Sequence, residues 1–401
     1  MLQLYNLESA PEFVGFGRME IMMYKNDRVH ILHTAPLMAG GITSFVINVA
    51  SLIDKNKYTI DNLCFRNKKE FSEELFCNYG GIKYVADIEN VKFKPAKIWK
   101  KFWGTYYVLK GQSVDVFHID TDSPDQIFLA AAAKLAGTGK VIYHSHNTSS
   151  GRIGGMRKMI ELLCKPMMFL FVDEYLACSE VAAEFLFPAS IVRKKRYLVV
   201  NNGIHVDKYL FNPLTREEYR QKFGYTDKLI IGHIGRFNRQ KNHTFLIDIF
   251  EEIHNIEPKA VLFLIGMGEL ENEIREKVRT KKLEKVVCFF GGTTDVANLL
   301  QMMDVFLFPS LYEGLPVAGI EVQAAGLPMV LSDTITTELA VTNLLKFVSL
   351  NETPRKWADT VLEHTKTLRE ETKPELRRAG YDIIDTVRKL ETIYDKEQQE
   401  I

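Results

Sequence analysis

Nothing in this chain offers a covalent framework. Its five cysteines (Cys64, Cys77, Cys164, Cys178 and Cys288) are scattered through 401 residues and never spaced as C-x-x-C. That argues against a disulfide scaffold or a zinc knuckle and fits a reducing compartment. No apolar run approaches the roughly 18 residues of a membrane span; the longest candidate, Met167 to Val172, is short and follows Lys165-Pro166. Net charge is also lacking: 51 basic residues match 51 acidic ones, so no global field draws the chain to nucleic acid, and none is expected as a partner. Internal repeats and low-complexity tracts are missing. The N-terminus carries Glu8, Glu12 and Arg18 where a signal peptide needs an apolar core. A cytoplasmic location is expected, with the inner face of the cell membrane open as a place of attachment. The remaining composition, 46% hydrophobic and 25% charged, is that of a globular protein, long enough at roughly 150 residues per domain for two or three domains.

What is present is an alternation. From Arg28 onward, short β-branched and apolar runs (Val29–Leu32, Ile60–Phe65, Ile82–Val85, Val114–Ile119, Val141–His144, Tyr175–Cys178, Tyr197–Val200) alternate with helical patterns. In one of these, Ser44 to Lys55, residues Phe45, Val49, Leu52 and Ile53 share a face. After a polar stretch, Asn212 to Lys228, the pattern restarts with Leu229–Ile234, Val261–Ile265, Val286–Phe290, Val305–Phe308 and Met329–Leu331. Strands separated by helices predict an α/β protein of two doubly wound, Rossmann-like parallel sheets facing a central cleft. The predicted division is an N-terminal extension over 1–26, a first domain over 27–207, a second over 208–380 and a C-terminal helix over 381–401 that packs back across the domains.

Ligands of such sheets sit at the carboxyl ends of the strands, and the residues there carry chemistry. After the first strand, Gly40-Gly41 leads into a helix start at Thr43 or Ser44, where backbone amides can approach an anion; a plain tight turn explains the same residues. Gly235-Arg236-Phe237-Asn238-Arg239-Gln240-Lys241 repeats that placement in the second half. Arg236 offers a planar fork of donors and Lys241 a mobile charge, a combination suited to a diphosphate. Tyr312-Glu313-Gly314-Leu315-Pro316 then opens a helix that contains Glu321. A loop carboxylate beside free helix amides is costly unless it binds something such as a sugar hydroxyl, and Glu321 suits a ribose.

Two clusters point elsewhere. Asp120-Thr121-Asp122 is a D-x-D, the metal-holding motif of the other large transferase fold. His144 and His146 alternate on one strand and so share a face; with His118 and Asp120 they form a possible divalent-metal cluster, which would suit a metal-dependent hydrolase. Separately, Lys92, Lys94, Lys97, Trp99, Lys100, Lys101 and Trp103 read either as an interfacial helix on an anionic membrane or as a helix that buries its aromatics and leaves its lysines solvated.

Taken together, Gly40-Gly41, Arg236 with Lys241, and Glu313-x7-Glu321 within Tyr-Glu-Gly-Leu-Pro resemble glycosyltransferase family 4, the retaining nucleotide-sugar transferases of GT-B fold. Cys178-Ser179-Glu180, Asn202-Gly203-Ile204 and Leu264-Ile265-Gly266-Met267-Gly268 extend the resemblance. His144-Ser145-His146-Asn147 and Ser332-Asp333-Thr334 are similar to bacterial exopolysaccharide and capsule transferases. The resemblance implies a nucleotide-sugar donor, expected to be a UDP-sugar, and a glycan or polyprenyl-linked sugar acceptor in surface polysaccharide synthesis. It implies that Arg236 and Lys241 hold the diphosphate, Glu313 the donor sugar and Glu321 the ribose, with Gly40, Gly41, Gly314 and Leu315 bringing amides near. Gly292 and Thr293 would lie by the base, and His146 would reach the transferred sugar. It implies a front-face route to retention and neither a metal nor any other cofactor. A nucleotide-sugar epimerase of the same fold and a non-catalytic sugar-nucleotide-binding homologue are the alternatives it leaves open.

Overall fold

The computed structural model describes residues 28–38, 40–146 and 155–395. The predicted extension over 1–26 lies outside the described residues. The first half forms a seven-stranded parallel sheet from β1 (Val29–His33), β2 (Tyr58–Cys64), β3 (Lys83–Val85), β4 (Val116–Thr121), β5 (Lys140–Ser145), β6 (Glu174–Ala177) and β7 (Leu198–Val199). Its order is β3-β2-β1-β4-β5-β6-β7. The second half forms a six-stranded parallel sheet from β8 (Leu229–Ile234), β9 (Ala260–Ile265), β10 (Val287–Gly291), β11 (Val305–Phe308), β12 (Met329–Ser332) and β13 (Leu345–Val348), ordered β10-β9-β8-β11-β12-β13. Strand order reverses between β1 and β4 in one sheet and between β8 and β11 in the other, and these switch points open the crevices where doubly wound sheets bind ligands.

The central strands are buried on both faces, as parallel sheets require. Residues of β9, for example, divide between two cores, Val261, Phe263 and Ile265 in one and Ala260, Leu262 and Leu264 in the other. Two features differ from the sequence expectation. Strand β13 was not anticipated, because Leu345-Lys346-Phe347-Val348 is a short edge strand with mixed exposure and no apolar run. The polar stretch from Asn212, read only as a break between the two halves, forms the helix Pro213–Phe223, capped by the Asn212 side chain. Arg216 and Arg220 on that helix bind both oxygens of Asp304, and Arg220 also reaches the Met302 carbonyl.

The C-terminal helix, Ile383–Asp395, belongs physically to the first sheet. Ile383, Val387, Leu390, Ile393 and Tyr394 share a core with Phe45 and Val49 of the helix Gly41–Leu52 and with Ile31 of β1. Its entry is tight: a Cβ on Gly203 would meet Thr386 Oγ1 at 2.4 Å and Ile383 Cα at 2.8 Å. The helix Lys94–Gln112 turns Val108 and Leu109 inward and leaves Trp99 65% exposed, while Trp103 is only half-buried. So this helix does not bury all its aromatics. Among the described residues no helix is long and apolar enough to cross a membrane.

Because Leu390 is fully buried in this helix seam, Leu390→Ala should cost about 2 to 5 kcal/mol of unfolding free energy. Calorimetry on the full chain would read this; a loss under about 1 kcal/mol would mean the seam is not closed in solution.

Candidate functional site

The second sheet supplies two loops that are stitched together. Leaving β8, the chain passes Gly235, whose missing Cβ would lie 3.0 Å from Lys241 Cδ, and Gly266 packs so closely that a Cβ there would sit 2.0 Å from the Gly235 carbonyl oxygen. The Leu311 amide donates to the Gln240 carbonyl at 2.8 Å, and the Asn242 side chain donates to the Pro309 carbonyl at 3.0 Å. The loops after β8 and β11 therefore hold one shape. Across them, Lys241 Nζ donates to Glu313 Oε1 at 2.7 Å and Gln240 Nε2 donates to Oε2 at 3.0 Å. Lys241 and Glu313 are only 14% and 7% exposed, a depth at which such a pair is poorly screened. Lys241 also lies 4.6 Å from the centroid of the Phe308 ring. Arg236, in contrast, pairs with Glu269 at 3.0 Å with both side chains more than half exposed, so that bridge contributes little and leaves the guanidinium available.

The helix Val317–Ala324 follows Pro316 without a side-chain cap, so its first amides have no side-chain partner and its positive end faces the cleft. Glu313 lies just outside this helix, in an isolated bridge to Ile335. Glu321 lies inside it, where its Oε1 accepts the Tyr209 hydroxyl at 2.7 Å. Burial pushes the Glu321 carboxyl above its ordinary range, and the Tyr209 hydroxyl bond works against that shift. Tyr209 was not identified from the sequence; a tyrosine in a crossover segment carries no local signal. Gly292 packs where a Cβ would meet Met267 Cε at 2.7 Å, and Thr293 Oγ1 accepts the Asp295 amide at 3.0 Å.

From the first sheet, the loop after β1 is pinned by an amide pair. Asn62 Oδ1 accepts the Ala35 amide at 2.9 Å and Asn62 Nδ2 donates to the Ala35 carbonyl at 2.8 Å. Thr43 Oγ1 donates to the Pro36 carbonyl. The helix starts at Gly41, two or three residues earlier than the expected Thr43 or Ser44, with Gly40 as an N-cap that has no side chain to offer. A Cβ on Gly41 would lie 3.4 Å from Val317 Cγ2. Two uncapped helix starts, one from each sheet, thus meet across the cleft.

His146 is placed differently from the expectation. Its ring is turned inward, its side chain fully buried, with Nε2 2.9 Å from Asp120 Oδ1 and Nδ1 3.0 Å from Asn202 Oδ1, so it does not present a free nitrogen to the cleft. Asp120 meets His33 through its other oxygen at 2.7 Å. Burial opposes ionisation of Asp120, but the adjacent His118 and His33 and the His146 and His33 hydrogen bonds hold its carboxyl well below the usual range. Burial pushes the His118 and His144 rings well below theirs. Two triads, His33-His118-Asp120 and Asp120-His144-His146, bring ligand atoms within 4.8 Å of one another, close enough to hold an ion. Every one of these side chains is shut away from solvent, whereas a hydrolytic metal keeps a coordination position open to water. The arrangement does not fit a metal-dependent hydrolase. Asp120, in the D-x-D, is likewise engaged with imidazoles.

Both halves of the chain are similar to known proteins. A family model described as "Glycosyltransferase Family 4" matches residues 39–208, and one described as "Glycosyl transferases group 1" matches residues 215–373. EpsF of Bacillus subtilis (strain 168), which carries a glycosyltransferase name, is 32% identical over 373 residues, covering 91% of this chain and 96% of its own. The UDP-Gal:alpha-D-GlcNAc-diphosphoundecaprenol alpha-1,3-galactosyltransferase of Escherichia coli is 26% identical over 285 residues, covering 66% of this chain and 72% of its own. Among solved structures, Anabaena Alr3699/HepE in complex with UDP and glucose superposes with a TM-score of 0.73 at 16% identity, covering 91% of this chain and 99% of that one, a likeness of fold.

The half-buried Glu321 carboxylate yields a prediction with a definite sign. Glu321 has a raised value in the folded chain, so its contribution is fully favourable below the unfolded value of about 4.3 and is lost as pH rises through the folded one. Glu321→Gln keeps an acceptor for Tyr209 and carries no charge. Its melting temperature relative to wild type should therefore rise between about pH 4 and pH 8; a flat or falling difference would contradict the burial.

Proposed function

The chain belongs to glycosyltransferase family 4, and from that premise we propose that it transfers a sugar, with retention, from a UDP-sugar to a glycan or polyprenyl-linked acceptor in surface polysaccharide synthesis. The observation that carries this reading is the buried Lys241–Glu313 pair beside two facing uncapped helix starts. A donor diphosphate fits between the amides at Gly40-Gly41 and at Gly314-Leu315, with Arg236 and Lys241 on its oxygens. Lys241 then exchanges Glu313 for phosphate, and the freed carboxylate accepts hydroxyls of the donor sugar. Glu321, oriented by Tyr209, takes the ribose, and Gly292 and Thr293 border the base. The bound UDP of the HepE structure and the UDP-galactose and diphosphoundecaprenol in the name of the Escherichia coli relative support the choice of donor and acceptor class.

In the front-face route the acceptor oxygen bonds to the anomeric carbon on the face that the phosphate oxygen leaves, and the acceptor's proton passes to that phosphate oxygen. Lys241 and Arg236 stabilise the charge developing on the diphosphate, the task a divalent cation performs in other transferases, so the reaction is proposed to need no metal. A polyprenyl-linked acceptor would be met at a membrane surface. The exposed Phe93, Ile98 and Trp99, set among Lys92, Lys97, Lys100 and Lys101, suit an anionic interface.

Melting-temperature shifts with UDP, GDP and their common sugars, with and without EDTA, test the donor and the metal. A shift with a uridine nucleotide that survives EDTA is expected; no shift, or one abolished by EDTA, overturns the respective claim. Once the donor is known, Lys241→Ala and Glu313→Ala should each lower turnover about 100-fold or more, and near-wild-type transfer by both would overturn the site. Co-sedimentation with phosphatidylglycerol vesicles should fall on Trp99→Glu if the helix meets the membrane.

A further inference from the structure

The histidine cluster behind the edge of the first sheet has no part in the binding roles above, yet its polar atoms form one continuous path. His144 Nδ1 lies 3.1 Å from His118 Nε2, and His118 Nδ1 lies 2.9 Å from the Tyr394 hydroxyl. That hydroxyl is 3.3 Å from His33 Nε2, and His33 Nδ1 is 2.7 Å from Asp120 Oδ2. From the other side, His146 Nε2 reaches Asp120 Oδ1 at 2.9 Å. Strand order places β4 between β1 and β5, so one carboxylate on the middle strand holds the ends of both neighbours. Tyr394 arrives from the C-terminal helix, far away in sequence.

Proton counting gives this path a direction. With one proton on each ring, let each donor point toward Asp120: His144 Nδ1–H to His118, His118 Nδ1–H to the Tyr394 oxygen, the Tyr394 hydroxyl to His33 Nε2, and His33 Nδ1–H to the carboxylate. Only His144 Nε2 is then left over, as an acceptor, and among the described residues this buried atom has no hydrogen-bond partner. In the opposite direction the Tyr394 hydroxyl donates to His118, which donates to His144. A buried N–H is then orphaned on His144, and the Tyr394 oxygen faces the His33 Nε2 lone pair. An orphaned buried N–H is the rarer and costlier defect. His146 Nδ1 faces Asn202 Oδ1 at 3.0 Å; if His146 donates through Nε2, its Nδ1 must accept, which requires the Asn202 side-chain amide in the flipped orientation, with its nitrogen toward the ring. Successive bonds of one sense polarise each other and strengthen the chain toward its anionic end.

We propose that Asp120 and Tyr394 are positioning residues for sugar transfer: the directed hydrogen-bond chain His144–His118–Tyr394–His33–Asp120, joined by His146, sets the ends of β1 and β5 against the donor cleft and closes only when the C-terminal helix is docked. Its bearing on transfer rests on the transferase reading above. The loop from His33 to Gly41 is the path by which it acts: it begins on the chain and ends at the helix start facing Val317. Displacement of a site by about 1 Å can cost on the order of 100-fold in rate.

The test uses the full chain labelled with 15N-histidine, wild type and Tyr394→Phe, which removes one oxygen from a buried ring. In wild type, ring-nitrogen shifts should show His33, His118 and His144 as the Nδ1–H tautomer, the minor form of free histidine, and His146 as Nε2–H. Tyr394→Phe should alter the His33 and His118 signals and lower kcat about 10- to 100-fold, with the donor KM and the nucleotide-induced melting shift unchanged. Asp120→Asn, which would set an NH2 donor against one of the two imidazole N–H groups that now address separate carboxylate oxygens, should lower kcat similarly, so the claim survives if one variant misfolds. Wild-type rings in the common Nε2–H form overturn it. So does a divalent metal bound in stoichiometric amount by these rings, or kcat of both variants close to wild type. Failure of the wild-type chain to bind any sugar nucleotide would instead sink the transferase reading and leave the tautomer result standing.

Discussion

A parallel strand must be re-entered from its far end, and this constraint organises the molecule. Each crossover returns over a face of the sheet, so every loop that leaves a strand's carboxyl end lies on the same edge and most lead into a helix start. In the first sheet that edge collects Gly40-Gly41 after β1, Asp120 at the end of β4 and His146 just after β5. In the second it collects Arg236 and Lys241 after β8, Gly292 after β10 and Glu313 after β11. Lys241 and Glu313, 72 positions apart, meet because the topology leaves their loops one place to go.

Charge placed at such an edge has to be matched before a ligand arrives. Lys241 and Glu313 match one another at a depth where either alone would be expensive, and a pair of this kind can be exchanged for a ligand's own charges. Glu321 lies on the helix and is satisfied by a phenol instead of a cation, so it keeps its raised affinity for a proton. Asp120 is satisfied by imidazoles. Three carboxylates near one cleft thus have three different kinds of partner: an ammonium and an amide for Glu313, a phenol for Glu321 and imidazoles for Asp120.

The two sheets are not independent beads on a string. The chain leaves the first through Asn202-Gly203-Ile204, builds the second, and returns to lay Ile383–Asp395 against the helix that begins at Gly41. Ile204 and Asp382, the outgoing and returning strands of that crossing, are joined as a parallel bridge. Whatever displaces the C-terminal helix therefore disturbs Tyr394, the imidazoles it binds and the loop after β1.

Much of this was legible in the residues. Apolar runs of strand length alternating with helical patterns are a local consequence of period, so the parallel sheets and their restart near residue 229 could be read directly. The motifs at strand ends could be placed because topology confines loops to one edge. Short edge strands such as Leu345–Val348, whose residues lack an apolar run, and polar helices such as Pro213–Phe223, whose stability comes from Asp304 and the Met302 carbonyl far along the chain, could not. Residue type and spacing by themselves determined the fold class and the placement of Arg236, Lys241 and Glu313 at the carboxyl ends of strands. Only tertiary packing decided that Glu313 is paired with Lys241, that Tyr209 holds Glu321, and that His146 faces inward to Asp120, because which atom a side chain meets depends on neighbours brought from elsewhere in the sequence.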